Sequence, residues 1–272
     1  MSAGTPLLQV DDIVVDYRPR RGRTGGPPAV DHVSLDIPRG RTLGLVGQSG
    51  CGKSSLARVI AGLAAPTGGT IRLGGAELPA PRGRTDATRI QMVFQDPGSA
   101  LNPMHTVRRT LTELLLVHRR AAGRSAATDR AVELLELVGL GAAVLDARPR
   151  GLSGGQRQRV GIARALAVEP EVLIADEAVS ALDVSVQAAV LNTLRDLGAR
   201  LDLTMLFISH DLAVTRYVAD EVAVMHRGRI VERGLPDDVL RNPRHEYTRS
   251  LVAATPRMDG PALSAPEEAR PV

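Results

Sequence analysis

The segment RTLGLVGQSGCGKSSLARVIAGL, residues 41–63, constrains the fold more than any other part of the chain. Residues 47–54 satisfy the phosphate-loop pattern of glycine, four residues, glycine, lysine and serine. A short apolar run suited to a buried strand precedes this loop, and apolar residues at helical spacing follow it. Strand, loop and helix in this order are the context that the pattern requires. The sequence therefore predicts a nucleoside triphosphate site.

Each residue type in this loop suits phosphate binding. Glycines let successive N–H groups converge on phosphate oxygens, and the helix N-terminus adds its positive end. Lys53 is the only lysine in a chain with 34 basic residues, and its compact ammonium enters a tight loop that the wider arginine fork cannot enter. We expect Lys53 to reach the β- and γ-phosphates of ATP and Ser54 to ligate Mg²⁺. The predicted nucleotide contacts are Gly47, Gln48, Ser49, Gly50, Cys51, Gly52, Lys53, Ser54 and Ser55.

A pair of carboxylates supplies the acidic part of such a site. The apolar run EVLIADE, residues 171–177, carries Asp176 to the end of a predicted strand, and Glu177 follows it. Mg²⁺ needs a carboxylate or a water molecule held by one, which predicts a metal-binding role for Asp176. Glu177, which is free of that task, is the candidate to position or deprotonate the attacking water. The alternative is that both carboxylates fix a loop by hydrogen bonds.

Composition and charge narrow the class of protein. No apolar run approaches the roughly 20 residues that cross a bilayer, and the start lacks the features of a secretory signal, so we expect a cytoplasmic location. The single cysteine, Cys51, fits a reducing compartment. Convergent N–H dipoles favour a lowered pKa for its thiol, although we interpret it as a small loop residue and not a nucleophile.

A net charge of +4 and a pI near 9.9 raise the question of a nucleic-acid partner. The arginines are dispersed among 30 acidic residues, and aromatic residues make up only 2% of the chain, so platforms for base stacking are scarce. We therefore expect no nucleic acid. The densest basic run, residues 18–28, is interpreted as a solvated loop between strands, with contact to lipid headgroups as the alternative.

The order of patterns along the chain predicts an α/β fold. Alternating segments before and after the phosphate loop predict an antiparallel β subdomain. Apolar spacing turns helical over about 107–138, which predicts an inserted helical subdomain. Strands and helices then alternate, as in the parallel sheet at the core of a P-loop NTPase. Residues 256–272 are rich in proline, alanine and charge and are expected to be disordered.

Further motifs identify a family resemblance that covers most of the chain. LSGGQ at 152–156, followed by RQRVGIARAL, resembles the signature segment of ABC-type ATPases. Ser153 with the N–H groups of Gly154 and Gly155 makes a second anion cradle at a helix start. Four more positions match the family order: Tyr17 for an aromatic against adenine, Gln95 for the glutamine loop, SALD at 180–183 for the dimer-contact loop, and His210 for the switch histidine.

The resemblance implies a head-to-tail dimer in which ATP lies between the phosphate loop of one subunit and the signature of the other. Ser153, Gly154, Gly155, Gln156 and Asp183 would then complete the partner's site. His210 would contact the γ-phosphate, and Gln95 would sense it, contribute to the Mg²⁺ site and touch the membrane partner. Glu177, His210 and Gln95 are thus the candidate catalytic residues, and Ser54, Gln95 and Asp176 the candidate metal ligands.

Two stretches resemble segments of ATPases that energise bacterial peptide importers, namely QMVFQDPGSALNPMHTV and RNPRHEYTRSLVAATP. The resemblance implies an ABC-type domain over 1–255, with a helical signature subdomain over about 97–155 and a C-terminal helical segment over about 235–255. It implies a peripheral location on the cytoplasmic face of the membrane. Expected partners are two permease subunits, a second ATPase or another copy of this chain, and indirectly an external solute-binding protein.

Other cargoes and other functions are alternatives to peptide import. ATPases of nickel importers and of phosphonate use share the same two stretches. Ala178, Gly98 and Glu246 depart from the peptide-importer pattern and leave the cargo open. An ABC ATPase that acts on nucleic acid would insert a long coiled coil or zinc module between the phosphate loop and the signature. Only about a hundred residues separate these motifs here.

Overall fold

The strands that the structure describes form two β-sheets, one of them antiparallel. The computed structural model describes residues 6–17, 27–96, 101–180 and 182–254. In the antiparallel sheet the strand order is β2-β1-β4-β5. Its strands are β1 (Pro6–Val15), β2 (Val30–Pro38), β4 (Gly68–Leu73) and β5 (Ala76–Glu77).

The second sheet has six strands in the order β10-β9-β3-β8-β7-β6, and all neighbours are parallel except β9 and β10. Every residue of the central strands β3, β7 and β8 is buried, because helices cover both faces of a parallel sheet. The carboxyl ends of these strands meet at one edge, where parallel sheets bind ligands. The strands are β3 (Thr42–Val46), β6 (Ile90–Val93), β7 (Val172–Asp176), β8 (Thr204–Ser209), β9 (Glu221–His226) and β10 (Arg229–Gly234).

Helices connect the strands and build a subdomain between β6 and β7. Short 3₁₀ turns at Ala142–Asp146 and Pro149–Gly151 lie within this insertion. The α-helices are α1 (Lys53–Ile60), α2 (Arg84–Arg89), α3 (Val107–Val117), α4 (Arg124–Leu137), α5 (Gly154–Leu166), α6 (Val184–Leu201), α7 (Leu212–Val218), α8 (Pro236–Arg241) and α9 (Glu246–Ala254).

The inserted helices share a core with the large sheet. Leu111 and Leu115 of α3 and Leu134 of α4 belong to the same buried cluster as Leu173 of β7 and Phe207 of β8. Phe207 is fully buried. A second cluster packs α1 between the two sheets, so the helix that follows the phosphate loop is held from both sides.

Some of the sequence predictions lie outside the described residues. These are the disordered tail over 256–272, most of the basic run over 18–28, and the first residues of the helical subdomain at 97–100. Among the described helices, none has the length and apolar character needed to span a bilayer.

Candidate nucleotide site

Two glycines of the phosphate loop, Gly47 and Gly52, lie where the backbone passes close to neighbouring carbonyl groups. The loop runs from the end of β3 to the start of α1. A Cβ atom on Gly47 would lie 2.2 Å from the carbonyl oxygen of Met225, and one on Gly52 would lie 2.1 Å from that of Ala29. Gly52 also has a φ of 112°, which L side chains rarely adopt. Side chains at these two positions would therefore force the loop out of its present path.

Lys53 lies inside the loop that it follows. Its side chain is buried, and Nζ donates to the carbonyl oxygens of Gly47 at 2.6 Å and Gln48 at 3.1 Å. The Lys53 ammonium thus stabilises the loop conformation through these two hydrogen bonds. Open space lies beside Gly50, where an added Cβ would meet no atom within 4 Å.

A hydroxyl and a carboxylate meet beside the loop. Ser54 Oγ donates to Asp176 Oδ1 at 3.2 Å, which joins the start of α1 to the end of β7. Asp176 is only 8% exposed. Burial raises the pKa of its carboxyl group; Glu177 adds to the rise, while Ser54, Arg58 and Lys53 oppose it. A cation close to this carboxylate would offset the cost of burying its charge.

The residues at this point fit Mg²⁺. Hydroxyl and carboxylate oxygens are its preferred protein ligands, and it usually takes one or two of them together with water and phosphate. Among the described residues, there is no group of three or more His, Cys, Asp and Glu side chains that could hold a metal ion. Ser54 and Asp176 thus form a partial shell that a nucleotide would complete.

Glu177 and His210 follow neighbouring strands and face each other. Glu177 Oε2 lies 3.7 Å from His210 Nδ1. The Glu177 backbone adopts a left-handed φ of 47°, and its N–H donates to the carbonyl oxygen of Ile208 at 3.0 Å. The Glu177 side chain is 16% exposed and that of His210 is 54% exposed. Glu177 is therefore fixed close to the protein surface, while His210 is free to meet a ligand from solvent.

Gln95 reaches this pair through Ser180. Gln95 Nε2 donates to Ser180 Oγ at 3.2 Å, and Ser180 Oγ donates to the carbonyl oxygen of Glu177 at 3.0 Å. Ser180 begins the SALD segment but was not among the predicted site residues. A small hydroxyl three residues after the predicted catalytic Glu177 is the sequence feature that could have indicated it.

The signature residues lie on another element. Ser153 and Gln156 form a capping box at the start of α5, with Ser153 Oγ accepting from Gln156 N at 3.2 Å and Gln156 Oε1 accepting from Ser153 N at 2.9 Å. A Cβ on Gly155 would lie 2.2 Å from Val186 Cγ1, so glycine lets α5 approach the first turn of α6. The capping bonds of Ser153 and Gln156 run to each other and not to the phosphate loop.

Two further predicted contacts lie on other elements of the fold. Tyr17 follows β1 and is 62% exposed, and Asp183 precedes α6 as its N-cap residue. One chain therefore brings together Lys53, Ser54, Asp176, Glu177, His210 and Gln95, whereas its signature segment lies at the start of another helix.

A comparison with protein families shows which family this chain belongs to. The profile described as ABC transporter matches residues 30–180, which is more than half of the chain. The chain belongs to the ABC transporter family. It is 44% identical over 260 residues to the dipeptide transport ATP-binding protein DppF of Escherichia coli (strain K12), covering 93% of this chain and 78% of that protein. It is 46% identical over 257 residues to the oligopeptide transport ATP-binding protein OppF of Bacillus subtilis (strain 168), covering 93% and 83%.

Solved structures of ABC proteins confirm the predicted fold class. The cbiO1 subunit from Clostridium perfringens, part of the ABC transporter complex cbiONQ, matches with a TM-score of 0.76 at 26% identity over 93% of this chain and 96% of that one. The ATP-binding cassette MJ0796, a dimer in a post-hydrolysis state bound to ADP and Pi, matches with a TM-score of 0.72 at 26% identity over 84% and 98%. The chain is an ABC-type ATPase.

The lowering of the Cys51 thiol pKa that the N–H dipoles of the loop favour is contradicted, which agrees with the interpretation of Cys51 as a small loop residue and not a nucleophile. Cys51 is 7% exposed, and burial raises the pKa of its thiol. The charge of Lys53, whose Nζ lies 3.9 Å from Sγ, opposes that rise without cancelling it. Loss of hydration therefore outweighs the N–H dipoles that favour the thiolate.

Proposed function

We propose that this chain is the ATP-hydrolysing subunit of an ABC importer for di- or oligopeptides. The observation that carries the proposal is the similarity to two peptide transport ATPases over 93% of the chain. The intact group of Ser54, Asp176, Glu177 and His210 supports ATP turnover as opposed to ATP binding alone.

The proposed reaction is attack of water on the γ-phosphorus of ATP, which breaks the bond from that phosphorus to the β,γ-bridging oxygen and releases ADP and inorganic phosphate. Lys53 would turn from the loop carbonyls toward the β- and γ-phosphate oxygens, and Glu177 would position the water and accept its proton. His210 would contact the γ-phosphate. Mg²⁺, held by Ser54, Asp176 and Gln95, would offset the phosphate charge. Gln95 would report the state of the γ-phosphate through Ser180 to the backbone of Glu177.

A second subunit would complete each site. The first-turn N–H groups of α5 lack partners within that helix, and with the Ser153 hydroxyl they suit a γ-phosphate. Because Ser153 lies on a different element from Lys53, we infer that ATP binds between the phosphate loop of one subunit and the signature of the next. Asp183 and Tyr17 would contact ATP and the partner at the same interface. The partner is a second homologous ATPase or another copy of this chain.

Two permease subunits would dock on the helical subdomain. An open groove of about 320 Å³ is lined by residues that include His105, Glu113, Leu114 and Val117. Val117 is 64% exposed, and nearby in sequence Met104 is 74% exposed. Apolar side chains beside charged ones suit a short amphipathic segment of a membrane protein. The ATPase would thus be peripheral, on the cytoplasmic face of the membrane, with the solute-binding protein on the other side.

Co-purification from native membranes tests the importer. The chain is tagged in its host, the membranes are solubilised gently, and bound proteins are identified by mass spectrometry. A permease pair, a second ATPase and peptide-stimulated ATP hydrolysis after reconstitution are the expected results. If ATP hydrolysis by the reconstituted complex responds to nickel and not to peptides, the proposal that peptides are the cargo is overturned. Recovery with DNA or ribosomes and without a permease would overturn the transport function.

A further inference from the structure

The phenol of Tyr247 contacts the phosphate loop from the far end of the sequence. The N–H of Gln48 donates to Tyr247 Oη at 2.9 Å, across 199 positions of the chain. The carbonyl oxygen of the same Gln48 accepts from Lys53 Nζ at 3.1 Å. The second residue of the loop is therefore held at both ends, by a lysine within the loop and by a tyrosine outside it.

The ring of Tyr247 is fixed in place. It stacks on His226 with 3.8 Å between ring centroids and 9° between planes. His226 ends β9 directly after Met225, whose carbonyl oxygen faces Gly47. Partial burial raises the pKa of Tyr247, which keeps the phenol neutral. The hydroxyl is thus a neutral acceptor whose position relative to the loop is set by β9.

The segment that carries Tyr247 is anchored independently of the loop. Both oxygens of the Glu232 carboxylate on β10 accept backbone N–H groups, from Arg244 at 2.9 Å and His245 at 3.0 Å. Leu251 of α9 packs in a buried cluster with Val46, the last residue of β3. Loss of the Tyr247 hydroxyl alone would therefore leave α9 docked.

We expect nucleotide binding to affect the two hydrogen bonds of Gln48 differently. If Lys53 turns toward the phosphate oxygens, as proposed above, its bond to the Gln48 carbonyl oxygen would weaken. Of these two side-chain contacts, the one from the Tyr247 hydroxyl would then remain. A contact that keeps the loop in its binding conformation reduces the conformational entropy lost when ATP binds.

We propose that Tyr247 is a positioning residue of the nucleotide site, which holds Gln48 and couples helix α9 to the phosphate loop. The proposal rests on ATP binding at this loop and extends it to the C-terminal segment. By linkage, Tyr247 strengthens ATP binding and bound ATP strengthens the docking of α9.

Tyr247→Phe tests the contact, because it deletes the hydroxyl and keeps the ring that stacks on His226. We expect the Kd and KM for Mg-ATP to rise about three- to tenfold, the effect of one neutral hydrogen bond, and kcat to stay within about twofold. Tyr217→Phe is the matched control. It also deletes a phenolic hydroxyl, one that donates to Asn192 Oδ1, and keeps the ring under Arg195.

The control should bind ATP like the wild type, and both variants should keep a similar Tm. Unchanged ATP affinity in Tyr247→Phe would overturn the proposal, as would equal weakening in both variants. A fall in kcat and Tm together would indicate a purely structural role and overturn it too. Because affinity is measured on the full chain without permeases, failure of the importer proposal does not alter this readout.

Hydrogen exchange tests the reverse direction of the coupling. In the wild type, a non-hydrolysable ATP analogue with Mg²⁺ should slow amide exchange in the peptide that covers residues 246–254. In Tyr247→Phe this added protection should be largely lost, while the peptide that covers 184–201 behaves alike in both proteins. Protection of α9 that does not respond to nucleotide in the wild type would overturn the coupling.

Discussion

Lys53 contacts the carbonyl oxygens of its own loop, which makes the shape of its side chain as important as its charge. Its Nζ contacts two carbonyl oxygens inside a space that leaves the side chain 4% exposed. A guanidinium is planar and wider, and it presents donors in a fixed fork. The enclosed carbonyls cannot match that fork without opening the loop.

Lys53→Arg should therefore weaken Mg-ATP binding by at least about a hundredfold, although it conserves charge. Titration calorimetry on the full chain measures the change. Arg124→Lys, an exchange of the same two residue types at the exposed start of α4, should leave the affinity unaltered. Wild-type affinity in Lys53→Arg would show that the single lysine has no special role.

Cys51 should resist alkylation in the folded protein. Its thiol is buried, and burial raises its pKa, so the thiolate fraction at pH 8 is lower than in the unfolded chain. The rate of iodoacetamide labelling should be lower than in urea and should rise as the pH increases toward 10. Mg-ATP should slow labelling further because it covers the loop. Labelling at the urea rate, with or without ATP, would contradict this account.

The buried charge of Asp176 should lower the free energy of unfolding, although the carboxylate is the proposed ligand for Mg²⁺. Its pKa is raised in the folded state, so the ionised group destabilises the Mg²⁺-free protein, and this cost is relieved as the pH falls through the raised pKa. Asp176→Asn keeps an acceptor for Ser54, and we expect its Tm without nucleotide at pH 7 to equal or exceed that of the wild type. Hydrolysis should fall at least about a hundredfold, since the metal loses its carboxylate.

The Tm difference between Asp176→Asn and the wild type should shrink in acid, and calorimetry from pH 7 to pH 4 measures it. A lower Tm for Asp176→Asn at pH 7 would mean that the Asp176 charge stabilises the fold instead.

At the scale of elements, Arg233 of β10 joins the edge of the large sheet to the antiparallel sheet. Its guanidinium donates to Asp36 Oδ1 of β2 at 2.8 Å, to the Asp36 carbonyl oxygen at 3.0 Å and to Glu221 of β9 at 2.7 Å. Arg233→Met should cost about 1–2 kcal/mol of unfolding free energy, since charged hydrogen bonds are lost from a partly exposed site. The Tm should fall by roughly 2–8 °C.

Arg241→Met, at an exposed position of α8, is the control for the Arg233 junction and should leave the Tm within about 1 °C, as surface substitutions usually do. Equal effects of the two substitutions would show that the Arg233 contacts contribute nothing specific.

The same junction shows what the sequence can predict. The strands that end in the phosphate loop and in Asp176 were predictable because each is a continuous apolar run followed by a recognisable polar motif. Arg233 and Asp36 are 197 positions apart, and Arg229 and Asp31 are 198 positions apart. Tyr247 is 199 positions from Gln48. Periodicity describes one element at a time, so these contacts become visible only once the elements are packed.

At the scale of the whole molecule, the chain carries two segments with the chemistry of a phosphate cradle, and they lie at the starts of two different helices. The phosphate loop precedes α1 on the large sheet, and the signature precedes α5 in the helical insertion. A single copy has no use for both around one phosphate, whereas two copies placed head to tail would form two complete sites. A head-to-tail dimer would therefore explain why Ser153 lies at the start of α5, on a different element from the phosphate loop.

Glu177→Gln should make that assembly visible, because it removes the proposed base for water and should slow hydrolysis by roughly 10²–10⁴-fold while ATP still binds. With Mg-ATP, light scattering should show the mass rising from the 28.8 kDa of one chain toward twice that value. Adding Ser153→Arg to Glu177→Gln should abolish the rise, because a bulky cation fills the signature cradle, while Kd for ATP in the monomer stays unaltered. A Glu177→Gln protein that binds ATP and stays monomeric would exclude pairing with itself, and the second ATPase that co-purifies from membranes would then supply the missing signature.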